Sequence, residues 1–274
     1  MATAESERRM SPFKRIICEL VDVFIAFKVE KILSWIISFC LYLVFKLRNN
    51  FTIVGLKNVP RNKNFLLVGN HSSAMDAYLV AGALTGRFFM RFWYVANASW
   101  RFDDPFFSRL MRLSGAIPRR GTGAQVVQRM VGVLVDPRRR RMAIPPEGTF
   151  NTNGKIMHGF TGVARVYYEA NKVYRIPILP VVSIGAAKAY PADYDSDGVY
   201  RPKKRQGIIG RIGKPFHLPE PPNGVADKEF LRVQTESIME RLRRLAMQKE
   251  PLADNEVLRK LQQKFQEKAR VYEY

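Results

Sequence analysis

The chain has 274 residues, of which 47% are hydrophobic, so it is long enough to bury a sizeable core. Its two cysteines, Cys18 and Cys40, both lie in apolar segments, which argues against a disulfide-stapled scaffold and indicates reduced thiols in a cytosolic setting. The 45 Lys and Arg outnumber the 24 Asp and Glu, and the formal net charge is +21. A charge of this size attracts polyanions: nucleic acid, an anionic membrane surface or phosphorylated substrates.

Residues 1–50 contain two apolar stretches that predict two helices. The fourteen residues between Lys31 and Lys46 are uncharged, but they are fewer than the roughly 18 to 20 needed to cross a bilayer core. The stretch at 15–31 is also apolar and is interrupted by charges. Cations at the helix ends suit anionic head groups, so we expect a membrane-associated segment. Three placements stay open: insertion into one leaflet, a single tilted span, or a buried core helix beside a surface helix.

From residue 51 onwards, short strand patterns alternate with helix patterns. Strands are predicted at 51–56, 64–70, 91–98, 176–185 and 207–216, and helices at 76–84, 105–113, 123–136 and 160–170. Residues 114–121 predict a short strand that ends in a basic loop, and residues 141–148 predict a strand that runs into a turn. This alternation predicts a single α/β domain at 51–220, with a mostly parallel or mixed central sheet flanked by helices. The charged, periodic residues 221–274 predict two further helices, at 227–248 and 253–270, that cover the outside of the domain.

His71 and Glu147 each follow a predicted strand directly, and ligands of parallel sheets gather at the carboxyl ends of strands. His71 and Asp76 form an H-x4-D pattern that has two interpretations. In the first, Ser73 and Asp76 make a capping box and the acid only begins a helix. In the second, the carboxylate orients the imidazole, which then removes a proton from a hydroxyl group. The pattern alone leaves both interpretations open.

Three other chemistries lack their residue patterns. No Gly-x-Ser-x-Gly nucleophile motif occurs, so a His–Asp pair would serve direct attack by a substrate alcohol on an activated acyl group. No His, Cys and Asp cluster has metal-ligand spacing, and we expect no metal. No zinc-ligand spacing or RNP-type aromatic motif accompanies the basic charge, and we expect no nucleic-acid partner.

Four blocks in this order resemble the glycerolipid acyltransferase family, which includes lysophosphatidate acyltransferases. They are NHSSAMD at 70–76, SGAIPRR at 114–120, PPEGTF at 145–150 and IPILPV at 176–181. The resemblance covers about 51–220. It implies an α/β acyltransferase domain that moves a fatty acyl chain from acyl-CoA or an acyl-carrier protein, used as co-substrate, with no other cofactor. The fourth block is also a plain apolar strand, and we assign it packing.

The resemblance also implies roles for individual residues. His71 would deprotonate the acceptor hydroxyl, and Asp76 would orient His71 and stabilise its charged form. Arg119 and Arg120 would hold the phosphate of the acceptor, since guanidinium groups bind phosphate through paired hydrogen bonds. The alternative for both arginines is solvated loop charge.

The third block contributes Glu147, Gly148 and Thr149 as acceptor-binding residues by the same resemblance. Glu147 would bind a glycerol hydroxyl or brace its loop, while Gly148 would permit close approach of the backbone. Family members commonly have an arginine where this chain has Phe150. Lys155 or His158 are candidates to replace that missing contact.

Lysophosphatidic acid is the leading acceptor, and phosphatidic acid would be the product in phospholipid biosynthesis. Because Phe150 departs from the family pattern, a lysophospholipid acyltransferase or transacylase with another acceptor is the first alternative. An inactive basic membrane-binding protein is the second alternative. The expected partners are an acyl thioester donor, a lysophospholipid and an anionic membrane surface, and the expected location is the cytoplasmic face of a membrane.

Overall fold

The computed structural model describes residues 11–26, 30–73, 76, 84, 92–96, 103–138, 140–148, 155–190 and 205–247. Its α-helices are α1 (Pro12–Ala26), α2 (Glu30–Arg48), α3 (Pro105–Leu113), α4 (Gly123–Leu134), α5 (Gly162–Asn171), α6 (Ala186–Ala189) and α7 (Lys228–Ala246). Its strands are β1 (Asn50–Val54), β2 (Phe65–Gly69), β3 (Phe92–Ala96), β4 (Ala116–Pro118), β5 (Arg141–Ile144), β6 (Ile178–Ile184) and β7 (Gly207–Ile212). Every predicted strand is present at its predicted place. The helix expected at 76–84 is described only at Asp76 and Leu84, which are both helical, and the one expected at 253–270 lies outside the described residues.

The strands form one seven-stranded sheet in the order β1-β7-β6-β2-β5-β3-β4. Strands β2 to β6 all run in one direction, whereas β7 pairs antiparallel with β6, and β1 runs parallel to β7. The prediction of a mostly parallel α/β sheet flanked by helices is therefore confirmed. We call the edge beyond Gly69, Ile144 and Ile184, where β2, β5 and β6 end, the carboxyl edge.

Strand β2 is the central strand of the sheet, and both of its faces are covered. Leu66 and Val68 pack into the cluster that also holds the apolar faces of α4, α5 and α7, while Phe65 and Leu67 pack on the opposite face of the sheet with Leu84. Full burial of one such side chain contributes about 1.5–3 kcal/mol. The residues that follow β2 therefore begin from a rigid support.

Helices α1 and α2 lie where the two N-terminal helices are predicted. No helix within the described ranges is both long and apolar enough to cross a membrane. Because β1 runs opposite to β2, α2 joins the sheet at the carboxyl edge. Asn49 fixes this junction: its side chain donates to Tyr190 Oη at 2.7 Å and accepts from the Gln206 amide at 3.1 Å. Membrane contact by this segment stays a prediction.

Helix α7 covers the face of the sheet on which Leu66 and Val68 lie. Its first turn is capped by Asp227, whose carboxylate accepts from the Phe230 amide at 2.7 Å. Leu231, Ile238, Met239 and Leu242 are buried in the core shared with β2 and β6. This helix lies within the predicted 221–274 cover, and the boundaries at 50 and 220 stay predictions.

Candidate active site

Strand pairing brings the first and third sequence blocks together. In the parallel register of β2 and β5, Val68 lies opposite Ile144, and His71 and Glu147 each come three residues later. The His71 amide donates to Glu147 Oε1 at 3.0 Å. The PPEGTF block therefore contacts the backbone of the H-x4-D motif directly, and this contact requires β2 and β5 to be neighbours.

Glu147 is a buried carboxylate that joins two loops. It is 1% exposed, and its second oxygen accepts from the Met157 amide at 3.3 Å. Burial raises the pKa of Glu147 above its usual range, and the hydrogen bonds from the His71 and Met157 amides only partly oppose this rise. Its geometry matches the loop-bracing role of the sequence prediction, because both oxygens already hold backbone amides.

Asp76 is also buried and is held mainly by backbone amides. Its Oδ2 accepts from the amides of Ser72 at 2.5 Å and Ser73 at 2.7 Å. The bond to Ser73 is the carboxylate half of the predicted capping box. Oδ1 is buried and has no hydrogen-bond partner in the part of the chain that the structure describes.

Oδ2 of Asp76, which accepts from the two serine amides, also faces the imidazole of His71. His71 Nδ1 lies 3.7 Å from Asp76 Oδ2, which is an ion-pair distance and longer than an N–H···O hydrogen bond. The expected hydrogen bond is absent from this geometry because Oδ2 is already drawn towards two amides. Catalytic hydrogen bonds are often long before substrate binds. The capping and orienting interpretations of Asp76 are therefore compatible in one side chain.

His71 reaches the surface while its neighbours do not. The His71 side chain is 20% exposed, whereas Ser72 and Ser73 are buried. With Nδ1 turned towards Asp76, a proton from a bound hydroxyl would pass to Nε2. The two adjacent serines are poorly placed to attack a substrate, so the arrangement favours attack by the substrate's own hydroxyl.

Gly148 permits the tight turn after Glu147. Its φ is +65°, and a Cβ at this position would lie 2.9 Å from the ring of Phe160. The Phe160 amide donates to the Pro146 carbonyl at 2.8 Å, so this aromatic ring covers the turn. Sequence reasoning missed Phe160 and Met157, because no motif marks a loop residue that acts through its backbone.

The second block lies further along the carboxyl edge. Arg119 and Arg120 follow β4, and the Arg119 amide donates to the Ala96 carbonyl at 3.1 Å. Strand β4 is three positions from β2 in the sheet, which corresponds to about 14 Å at the usual strand spacing. The structure therefore places both arginines on the same edge of the sheet as His71, three strands away from it.

The two arginines differ in their partners. Arg120 forms an ion pair with Asp103, and its carbonyl accepts from the Arg129 guanidinium. The guanidinium of Arg119 is exposed and forms no hydrogen bond or ion pair to any residue of the described ranges. Arg119 is thus the more available of the two for a phosphate.

Thr149 and Phe150 lie outside the described residues. His158 lies beside α7, with Nδ1 3.4 Å from Glu236 Oε2. Within the ranges that the structure describes, no group of three or more His, Cys, Asp or Glu side chains is arranged to hold a metal ion.

Comparisons with known proteins bear on the family and the fold of the chain. Residues 50–184 match the family model described as Acyltransferase. The chain matches none of the curated proteins with which it was compared. Its fold is similar to the crystal structure of the 1-acyl-sn-glycerophosphate (LPA) acyltransferase PlsC from Thermotoga maritima, with a TM-score of 0.53 and 17% sequence identity. That similarity covers 91% of this chain and 88% of the other.

The matched family region begins at β1 and ends with β6, so it contains all four sequence blocks and every site residue discussed above. At 17% identity the structural likeness establishes the fold alone, while the family match covers residues 50–184. Residues 50–184 form a domain of the Acyltransferase family, which supports the resemblance of the four sequence blocks to glycerolipid acyltransferases.

Proposed function

We propose that this protein transfers a fatty acyl group from an acyl thioester to a hydroxyl of a glycerolipid, with lysophosphatidic acid as the leading acceptor. The observation that carries the proposal is the meeting of His71, Asp76 and Glu147 at the carboxyl edge. Arg119, available on the same edge, supports an acceptor that carries a phosphate. The similar Thermotoga maritima protein is named as an acyltransferase of 1-acyl-sn-glycerophosphate, and this likeness supports the same acceptor class.

The chemistry requires one base and no protein nucleophile. The acceptor oxygen attacks the thioester carbonyl carbon while its proton moves to His71 Nε2. Collapse of the tetrahedral intermediate breaks the C–S bond, and the proton then passes to the departing thiolate. Asp76, 3.7 Å from Nδ1, stabilises the imidazolium that exists between the two proton transfers. The acyl thioester, from CoA or a carrier protein, is consumed as a co-substrate.

The exposed apolar surface of α1 and α2 supports membrane association. On α2, Ile32, Ile36, Leu43 and Leu47 recur at intervals that place them on one face, and all are exposed, with Leu47 at 86%. Exposed apolar patches of this kind mark membrane or protein contacts. Helix α2 joins the sheet at the carboxyl edge, where His71 lies. A lipid acceptor would therefore enter the site from the membrane that α1 and α2 contact. We place the protein on the cytoplasmic face of an anionic membrane.

Vesicle binding tests this membrane contact. Replacing Ile36, Leu43 and Leu47 together by serine is expected to reduce sedimentation with anionic phospholipid vesicles at least tenfold. The matched control replaces Val233, an exposed apolar residue of α7, by serine and leaves sedimentation unchanged. Equal binding by both variants would refute the assignment of this face.

A lysophospholipid with another head group is the second candidate acceptor. The observation that favours it is Phe150, which stands where the family commonly has an arginine. A transacylase reaction between two lipids belongs to the same alternative. In either case the roles of His71 and Asp76 would be unchanged, because an acceptor hydroxyl still has to lose its proton. The head-group contacts would differ, and in a transacylase the C–O bond of a donor lipid ester would break, with the proton passing to the departing alkoxide.

An activity panel tests the proposal. Purified protein in anionic vesicles is supplied with acyl-CoA or an acyl-carrier protein and with lysophosphatidate, lysophosphatidylcholine, lysophosphatidylethanolamine or monoacylglycerol, and release of free thiol is measured. We expect the highest kcat/KM with lysophosphatidate. Equal rates with phosphate-free monoacylglycerol would contradict the phosphate assignment. Absence of thiol release with every acceptor would refute the thioester-dependent reaction.

A further inference from the structure

The loop at residues 155–160, which we call the bracing loop, holds the Glu147 turn from one side. The Met157 amide donates to Glu147 Oε2 at 3.3 Å, and the Phe160 amide donates to the Pro146 carbonyl at 2.8 Å. Glu147 in turn accepts from the His71 amide through its other oxygen. The bracing loop is therefore connected to the backbone of His71 through the carboxylate of Glu147.

Polar groups of α7 hold the opposite side of the bracing loop. The Arg243 guanidinium donates to the Met157 carbonyl at 3.4 Å and to Glu236 Oε1 at 2.5 Å. Glu236 Oε2 also lies 3.4 Å from His158 Nδ1. Arg243 is only 7% exposed, so this charge is kept away from water by its place against the loop. Burial opposes the charged form of Glu236, but the His158 and Arg243 contacts outweigh it and lower the Glu236 pKa.

Close packing adds a second contact between the same two elements. A Cβ built on Gly159 would lie 2.8 Å from both Thr235 Cγ2 and Met239 Sδ on α7. Ile156, at the start of the loop, is 2% exposed. The loop thus lies on α7 without space for one additional methyl group.

We propose that Arg243 and Gly159 are positioning residues, through which α7 sets the place of Glu147 and, through Glu147, the backbone of His71. The path has three links: Arg243 to the Met157 carbonyl, the Met157 amide to Glu147, and Glu147 to the His71 amide. Its catalytic consequence rests on the proposed acyl transfer, whereas its structural consequence does not.

The hydrogen bonds of Arg243 can be removed without displacing α7 from the core. The helix is anchored independently by the apolar side chains Leu231, Ile238, Met239 and Leu242, which are all buried in the core. Loss of the Arg243 contacts therefore removes one of the holds of α7 on the Met157 end of the loop, while the helix stays in place. A displacement of about 1 Å of a catalytic group can lower a rate by about 10²-fold.

Substitution of adjacent arginines tests the catalytic consequence. Arg243→Met keeps a long apolar side chain and loses both donors, and we expect kcat to fall at least tenfold with little change in the KM for acyl-CoA. Arg244→Met is the matched control, since Arg244 is exposed on the same helix and pairs with Glu240. Arg243→Lys is expected to recover part of kcat. Equal kcat in the Arg243→Met and Arg244→Met proteins would overturn the proposal.

Hydrogen exchange measured by mass spectrometry tests the structural consequence without any substrate. In full-length Gly159→Ala protein, peptides covering 155–160 and 70–73 are expected to exchange faster, while peptides of β6 keep their protection. Gly162→Ala is the control, because a Cβ there meets no atom within 4 Å. Unchanged exchange at 70–73 in the Gly159→Ala and Arg243→Met proteins would refute the path. If the parent protein shows no acyl transfer, the proposed function fails, and this exchange result still decides on the brace.

Discussion

The two ends of the carboxyl edge are built in opposite ways. At β2 and β5, Asp76 and Glu147 are buried, and backbone amides hold their oxygens in place. At β4, Arg119 and Arg120 are exposed, and the guanidinium of Arg119 forms no hydrogen bond or ion pair with any of the described residues. In the proposed reaction this difference corresponds to a division of roles: the buried end would be preorganised for proton transfer, and the exposed end would recognise the head group.

Buried carboxylates held by amides do not need to reorganise when substrate binds, whereas an exposed arginine loses conformational freedom on binding its phosphate. Substitutions at the first end should therefore lower kcat, and substitutions at the second end should raise KM for the acceptor. A set of variants along the edge can break or sharpen this contrast.

The largest effect is expected at His71. His71→Ala removes the base, and kcat should fall by about 10²-fold to 10⁴-fold, the range typical of general base catalysis. Thiol release from acyl-CoA measures the loss, and vesicle sedimentation should be unchanged. Parent-level turnover in this variant would refute the assignment of His71 as the base.

Asp76→Asn should have the next largest effect. The amide keeps the size of the side chain but removes the charge that lies 3.7 Å from His71 Nδ1. An attraction of about 4 kcal/mol between unit charges at such a distance near a protein surface corresponds to about 10³-fold, an upper value for the loss in kcat. A change confined to KM would show that Asp76 only caps the loop.

The paired arginines test the recognition end. Arg119→Ala should raise KM for lysophosphatidate about tenfold to 100-fold with little change in kcat, since one charge-assisted hydrogen bond contributes about 1.5–3 kcal/mol. Arg120→Ala should have a smaller effect, because that guanidinium is already paired with Asp103. Initial rates across a lysophosphatidate titration separate the two outcomes. The reverse order of effects would assign the phosphate to Arg120.

The smallest effect concerns stability and pH. Because burial raises the pKa of Glu147 above its usual value of 4.5, the folded protein binds this proton more tightly than the unfolded chain. The resulting contribution to stability is complete below pH 4.5 and is lost as the pH rises through the folded pKa. Denaturant titrations should therefore show the stability of the parent protein, relative to Glu147→Gln, declining from pH 4 to pH 7. A relative stability that increases over this range would contradict the stated direction.

Much of the fold is predictable from local pattern. The strands at 64–70 and 176–185 are apolar runs that the sheet buries on both faces, so length and composition identify them without knowledge of their neighbours. The H-x4-D spacing likewise marks His71 and Asp76, and the family resemblance assigns them a role.

Contacts that depend on strand order are not predictable in this way. The bond between the His71 amide and Glu147 exists because β5 lies beside β2, although 76 residues separate the two in sequence. The contact of Arg243 with Met157 joins residues 86 positions apart and carries no motif. The ion-pair distance between His71 and Asp76 depends on two serine amides, which contribute through the backbone and leave no trace in side-chain spacing.

The central claim is that His71 activates the lipid's own hydroxyl and that the chain supplies no nucleophile. A single-turnover experiment tests it most directly: stoichiometric protein is mixed with acyl-CoA carrying a labelled acyl group, first without and then with lysophosphatidate. The account predicts no thiol release and no labelled protein until the acceptor is added, followed by transfer of the label to lipid. A burst of one thiol per protein without acceptor, together with acyl-labelled protein, would contradict it.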